Sequence, residues 1–118
     1  MKSDKEILTD LKWAIRGLLV MSESDYPFEL IQWDGRTPIT PEYLRGVSER
    51  KEDSAIEETD VAAFLGVNEQ FRNVLSVLKS NLDDIKVYKV GVINIPVYIV
   101  GRSAEGNWLG VSTRLIQT

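Results

Sequence analysis

The chain contains no cysteine. Disulfide bridges, thiolate catalysis and zinc–thiolate sites are therefore excluded. It contains no histidine either. That removes the usual general base, the commonest transition-metal ligand and every Ser-His-Asp triad. Carboxylates, Lys and Tyr remain as possible catalytic groups, so an enzyme is disfavoured rather than excluded. No apolar run approaches the roughly 18–20 residues that a membrane-spanning helix needs. The opening "MKSDKEIL" is charged and reads as a helix start, not as a signal peptide. A cytoplasmic location and no membrane partner are expected. Lys and Arg are outnumbered by Asp and Glu, 14 against 18, for a net charge of −4. Nucleic acid is thus an unfavourable direct partner, because phosphate binding needs concentrated positive charge. Lys2, Lys5, Lys12 and Arg16 share the first helix with acids and are too scattered for such a patch. A basic protein surface or a cation suits this balance better.

What is present suits one globular domain over residues 1–118. The length is that of a chain able to bury a real core, and 43% of residues are hydrophobic against 27% charged. Ser3-Asp4-Lys5-Glu6 matches a capping box. The helix after it carries Ile7, Leu8, Leu11, Ala14, Ile15 and Leu18 on one stripe and ends near Gly17–Val20. Pro27 excludes helix, Phe28–Trp33 reads as a strand, and Asp34-Gly35 marks a turn. Thr40-Pro41 reads as a cap with proline in the first turn of a short helix closed by Gly46. Ser48–Ser54 is a charged loop. Ala55–Thr59 reads as a short strand, and Thr59 or Asp60 caps a short helix over Val61–Leu65. Asn68 caps a second long helix with Phe71, Val74, Leu75, Leu78 and Leu82 on its buried face. Three strands follow, Ile85–Val90, Ile93–Val100 and Trp108–Ile116, with Ser103–Asn107 as a hairpin turn. Pro96 lacks an amide hydrogen, so its strand should lie at an edge or carry a bulge there. The fold class is α+β, with an antiparallel-rich sheet and the two long helices packed on it.

Few residues suggest chemistry. Glu23, Asp25 and Glu29 form the densest acidic group near an element junction. They read either as a polar turn after a helix or as an anionic point that docks on a cation. Ser22 and Ser24 have no adjacent base, and local backbone bonding is the stronger reading for both. Gly91, Gly101, Gly106 and Gly110 form no phosphate-binding motif; turns and bulges account for them. Trp33, Trp108, Tyr26, Tyr88 and Tyr98 are expected to pack in strands and core. Trp13 falls off the apolar stripe of its helix, so it should be partly exposed or touch a loop. A strong strand pattern, "WLGVSTRLIQ", runs almost to Thr118. If Thr118 is the natural terminus, that strand should hold its α-carboxylate in place.

Two stretches are distinctive together. Gly17–Gly35 reads "GLLVMSESDYPFELIQWDG", and Val87–Thr118 reads "VYKVGVINIPVYIVGRSAEGNWLGVSTRLIQT". Both resemble the nuclease A inhibitor family, as does Leu78–Leu82 in the second long helix. The resemblance implies an α/β/α sandwich similar to pathogenesis-related protein 1 folds. It also implies inhibition of a metal-dependent, sugar-non-specific DNA/RNA endonuclease. In the family, the glutamate of the S-E-S motif and the C-terminal threonine point at the nuclease's catalytic magnesium. By position these are Glu23 and Thr118, with Ser22, Ser24, Asp25, Tyr26 and Gln117 completing the contact. The resemblance implies no catalytic residue, no cofactor, no metal held by the chain alone, and a monomer when free. The chain departs from the family pattern at Gly66-Val67-Asn68-Glu69, where the family carries a longer segment, and at Ser48–Ser54. Two other readings stay open here. One is an interaction module on the same fold without a nuclease partner. The other is a metal-dependent enzyme using Glu23, Asp25 and Glu29, against which the lack of histidine counts.

Overall fold

The computed structural model describes residues 2–20, 26–48, 55–66 and 68–116. Helix α1 spans Asp4–Ile15 and opens with the expected capping box, in which Ser3 accepts from the Glu6 amide and Glu6 accepts from the Ser3 amide. The Glu6 carboxyl is held below its ordinary pKa, first by that backbone bond and then by the Ser3 hydroxyl. The helix stops before Gly17, which adopts a φ of +77°. Strand β1 (Leu19–Val20) follows and pairs with β2 (Tyr26–Pro27). This small hairpin was not expected from the sequence. Its strands are too short for any alternation of polar and apolar residues to register.

Strand β3 (Glu29–Trp33) leads to helix α2 (Pro41–Val47), capped by the Thr40 hydroxyl. Strand β4 (Ile56–Thr59) precedes helix α3 (Val61–Leu65), whose cap is Asp60 rather than Thr59. Asn68 caps a short 3-10 turn over Glu69–Phe71, and the long helix α4 begins only at Arg72 and runs to Asn81. The last strands are β5 (Asp83–Val90), β6 (Asn94–Arg102) and β7 (Trp108–Ile116). The main sheet is five-stranded and wholly antiparallel, in the order β3-β7-β6-β5-β4.

Alternation along these strands divides the sheet into two faces. One face presents Val87, Ile95, Val97, Ile99, Leu109, Val111 and Leu115 to Ile7 and Leu11 of α1, Leu65 of α3, and Val74 and Leu78 of α4; all are buried. The other face carries Trp33, Tyr98, Trp108 and Arg102. There Trp33 meets Tyr43 of α2 edge-on at 5.1 Å and Tyr98 at 5.5 Å. Burial pushes the Tyr43 and Tyr88 phenols above their ordinary pKa. The aromatic residues of the strands thus pack, as expected.

Pro96 corrects an expectation. Its strand is internal, flanked by β5 and β7, not an edge. Pro96 pairs with Arg114 on β7, but the last pair to β5 is Lys89 with Val97. The proline sits just past the end of that ladder, so an internal strand tolerates it there. The irregularity in β5–β6 pairing lies instead between Asp83 and Lys86.

One end of the sheet is closed by a polar network around the predicted hairpin turn. The Ser103 amide donates to the Asn107 carbonyl and the Gly106 amide to the Ser103 carbonyl, both at 2.9 Å. Asn107 donates to the buried Asp4 carboxylate at 2.8 Å and accepts from the Gly35 amide at 3.0 Å. Arg102 donates to the Gly35 and Gly106 carbonyls and lies 3.9 Å from the Trp108 ring centre. This ties the start of α1 to two turns.

Candidate functional site

The described residues that flank the site anticipated from the sequence stand at the other end of the sheet. Ser22, Glu23, Ser24, Asp25, Gln117 and Thr118 lie outside the described residues. Their flanking residues are described. Val20 and Tyr26 face each other as the last pair of the β1–β2 hairpin, so residues 21–25 leave from and return to a paired base. Ile116 ends β7 opposite Asn94.

The hairpin base is tied to β7 and to the core. The Thr113 hydroxyl of β7 donates to the Pro27 carbonyl at 3.1 Å, a contact between residues 86 positions apart. Thr113 is only 8% exposed. The next residue, Phe28, is buried and meets Phe71 edge-on at 5.5 Å. Val20 is buried in the same core. One bond to the last strand and two apolar contacts in the core therefore hold the two ends of the 20–26 connection in place.

Register explains why these segments meet. Glu29 pairs with Ser112 and Trp33 with Trp108, so β3 runs away from the C-terminal end of β7. Continuing backwards from Glu29, the chain passes Phe28 and Pro27 beside Thr113. The same end holds the β5–β6 turn, where the Gly91 amide donates to the Ala55 carbonyl at 2.8 Å. The flanks of residues 21–25, the flank of 117–118 and the flank of 49–54 thus share one end of the sheet.

Beside this base lies a cleft of about 440 Å³ on the α2 face, between Tyr26, Glu29, Val47, Tyr98, Ser112 and Arg114. Arg114 donates to the Asn94 side chain at 2.7 Å across the β6–β7 pair. Glu29, counted with Glu23 and Asp25 from sequence, is an exposed residue on the rim of this cleft. Trp13 is exposed, at 64%, with the Arg16 guanidinium 5.2 Å from its ring centre, as its place off the helix stripe suggested.

Sequence reasoning missed the supporting residues. Thr113 and Phe28 carry no chemical signal of their own; only the register that sets them against Pro27 and Phe71 reveals their part. Among the described residues no group of three or more Asp or Glu side chains converges as a metal site. None of the described helices is long and apolar enough to cross a membrane.

Among curated proteins none matches the chain significantly. Residues 5–118 match a family model described as nuclease A inhibitor-like protein. The match runs through α1, the hairpin, the whole sheet and α4, and includes both distinctive stretches. The chain therefore belongs to the nuclease A inhibitor-like family, a family of nuclease inhibitors.

Proposed function

We propose that this protein is one domain that inhibits a metal-dependent, sugar-non-specific endonuclease by occupying its active-site cleft. Glu23 is the anchor and Thr118 the second oxygen donor. Ser22, Ser24, Asp25, Tyr26 and Gln117 shape the rest of the contact. The observation that carries this reading is the meeting of two remote chain segments at one end of the sheet. The hairpin that flanks residues 21–25 is bonded to the strand that leads to residues 117–118. Family membership supplies the class of partner.

The chemistry is consistent. A magnesium-dependent nuclease holds a hard cation in a cleft built for phosphate oxygens. A carboxylate and a hydroxyl are hard oxygen donors, and they imitate part of a phosphodiester. The cation belongs to the partner. The net charge of −4 favours encounter with a basic cleft. Helices α1, α3 and α4 over one sheet face and α2 over the other fit the α/β/α sandwich, similar to pathogenesis-related protein 1 folds, that this reading implies. A cytoplasmic monomer belongs to the same proposal.

The test is cleavage of plasmid DNA by a magnesium-dependent, sugar-non-specific endonuclease with increasing amounts of this protein. Stoichiometric loss of activity is expected. Glu23→Ala should weaken inhibition more than Lys79→Ala on the exposed side of α4, and removal of Thr118 should weaken it too. Equal potency of Glu23→Ala and Lys79→Ala would remove Glu23 from the site. No inhibition by the wild-type protein would favour an interaction module on the same fold.

A further inference from the structure

The two hairpin turns at opposite ends of β6 obey different rules. Ser103–Asn107 is made of turn-forming residues, and its polar groups are bonded inward. The β5–β6 turn has Gly91 at a φ of +99°, which suits a tight turn. Its next two residues are Val92 and Ile93, 71% and 62% exposed. Among the described residues only Trp13 is a comparably exposed large apolar side chain. Two branched aliphatics at a turn tip gain nothing there in water, since turns ordinarily take Gly, Asn, Asp or Ser. They are spent only if something covers them.

The fold says where they stand. Ile93 immediately precedes Asn94, which pairs with Ile116 at the end of β7. Paired Cα atoms are about 4.5–5.5 Å apart in an antiparallel ladder. The tip is therefore contiguous with the point where the chain leaves for residues 117–118. It is also bonded to the start of β4 through Gly91 and Ala55.

We infer that Val92 and Ile93 form an apolar anchor that packs against an apolar patch on the same nuclease, beside its active-site cleft. This rests on the inhibitor reading and extends its interface from oxygen donors to a hydrophobic contact. A second copy of this chain is a poorer occupant. Two side chains fall far short of the about 1,200 Å² that a stable interface buries, and like net charge opposes self-association. Next to a charged contact that already orients the partner, two such side chains suffice as an anchor. The division of labour follows: acidic groups speed association, and the apolar tip slows dissociation.

The experiment compares the wild type, Glu23→Ala and the double variant Val92→Thr/Ile93→Thr in the plasmid-cleavage assay and in surface-binding kinetics against the same endonuclease. Threonine keeps the branched shape at each position; a Val92→Ser/Ile93→Ser variant repeats the test with a smaller side chain. Thermal melting of both doubles should match the wild type, because the tip is exposed. The expected result is an inhibition constant raised about tenfold to a hundredfold through faster dissociation. Its dependence on salt should be unchanged, whereas Glu23→Ala should flatten that dependence. An inhibition constant within about twofold of wild type, while Glu23→Ala is impaired, would overturn the tip assignment and leave the inhibitor reading standing. A dimer lost in the double variant at unchanged inhibition would also overturn it, assigning the tip to a second copy. If the wild-type protein inhibits nothing, both readings fall together.

Discussion

Thr113→Val isolates the bond between the hairpin and the last strand. The substitution keeps the branched shape and nearly the volume, and removes one hydroxyl. In the structure that hydroxyl donates to the Pro27 carbonyl at 3.1 Å from a side chain only 8% exposed. A neutral hydrogen bond of this kind contributes about 0.5–1.5 kcal/mol net. Unfolding entropy near 2.1 cal/mol/K per residue converts this to about 4 °C per kcal/mol for 118 residues. The melting temperature should therefore fall by about 2–6 °C. The same loss loosens the base from which residues 21–25 project. If binding requires that base to be seated, the inhibition constant should rise by at most about tenfold, the equivalent of the upper bond energy. Thr113→Ser, which restores the hydroxyl, should recover most of both. Calorimetry and plasmid-cleavage titration read the two effects separately. A lower melting temperature with unchanged inhibition would refute the coupling of hairpin to site. An unchanged melting temperature would refute the contribution of the bond itself.

Two further outcomes test the fold. Gly110→Ala would put a Cβ 1.8 Å from the Ile99 carbonyl oxygen and 3.0 Å from the Val100 Cα, both backbone of β6. Calorimetry should record a loss of about 3 kcal/mol or more, or no folded protein. Gly46→Ala meets nothing within 4 Å inside α2 and should stabilise slightly; equal effects of the two would contradict the close strand approach. Glu6 has a folded pKa depressed below its ordinary value, first by the Ser3 backbone bond and then by the Ser3 hydroxyl of the capping box. The stability it contributes is therefore present above its unfolded pKa and lost as pH falls through the folded one. Melting curves from pH 7 to pH 2 should show Glu6→Gln with a flatter acid limb than wild type. Parallel limbs would mean that the box does not titrate as drawn.

Much of the fold is legible in the sequence. Ser3 with Glu6 and Thr40 with Pro41 announce helix starts through side-chain bonds made within a few residues, and such local signals survive in sequence; Asn68 announces a 3-10 turn one step before α4. The stripe Val74, Leu78 and the alternation in β6 and β7 are equally local. The β1–β2 hairpin was not legible, because two-residue strands show no periodicity. Pro96 misleads for a related reason. The sequence reveals that a proline cannot donate, but only strand order and register reveal that the β5 ladder ends at Val97. For the candidate site, the motif at residues 22–26 and the end of the chain were readable as a resemblance, while their support was not. Phe28 and Thr113 act through partners 43 and 86 positions away.

By itself the sequence determined the absent chemistries, the starts of α1 and α2, the apolar faces and the family. Each depends on residue identity or on contacts within a few positions. The tertiary structure alone decided which end of the sheet gathers the flanks of residues 21–25 and 117–118. It alone set an apolar turn tip beside them. Those outcomes depend on strand order and register, which arise only when distant segments compete for one buried face.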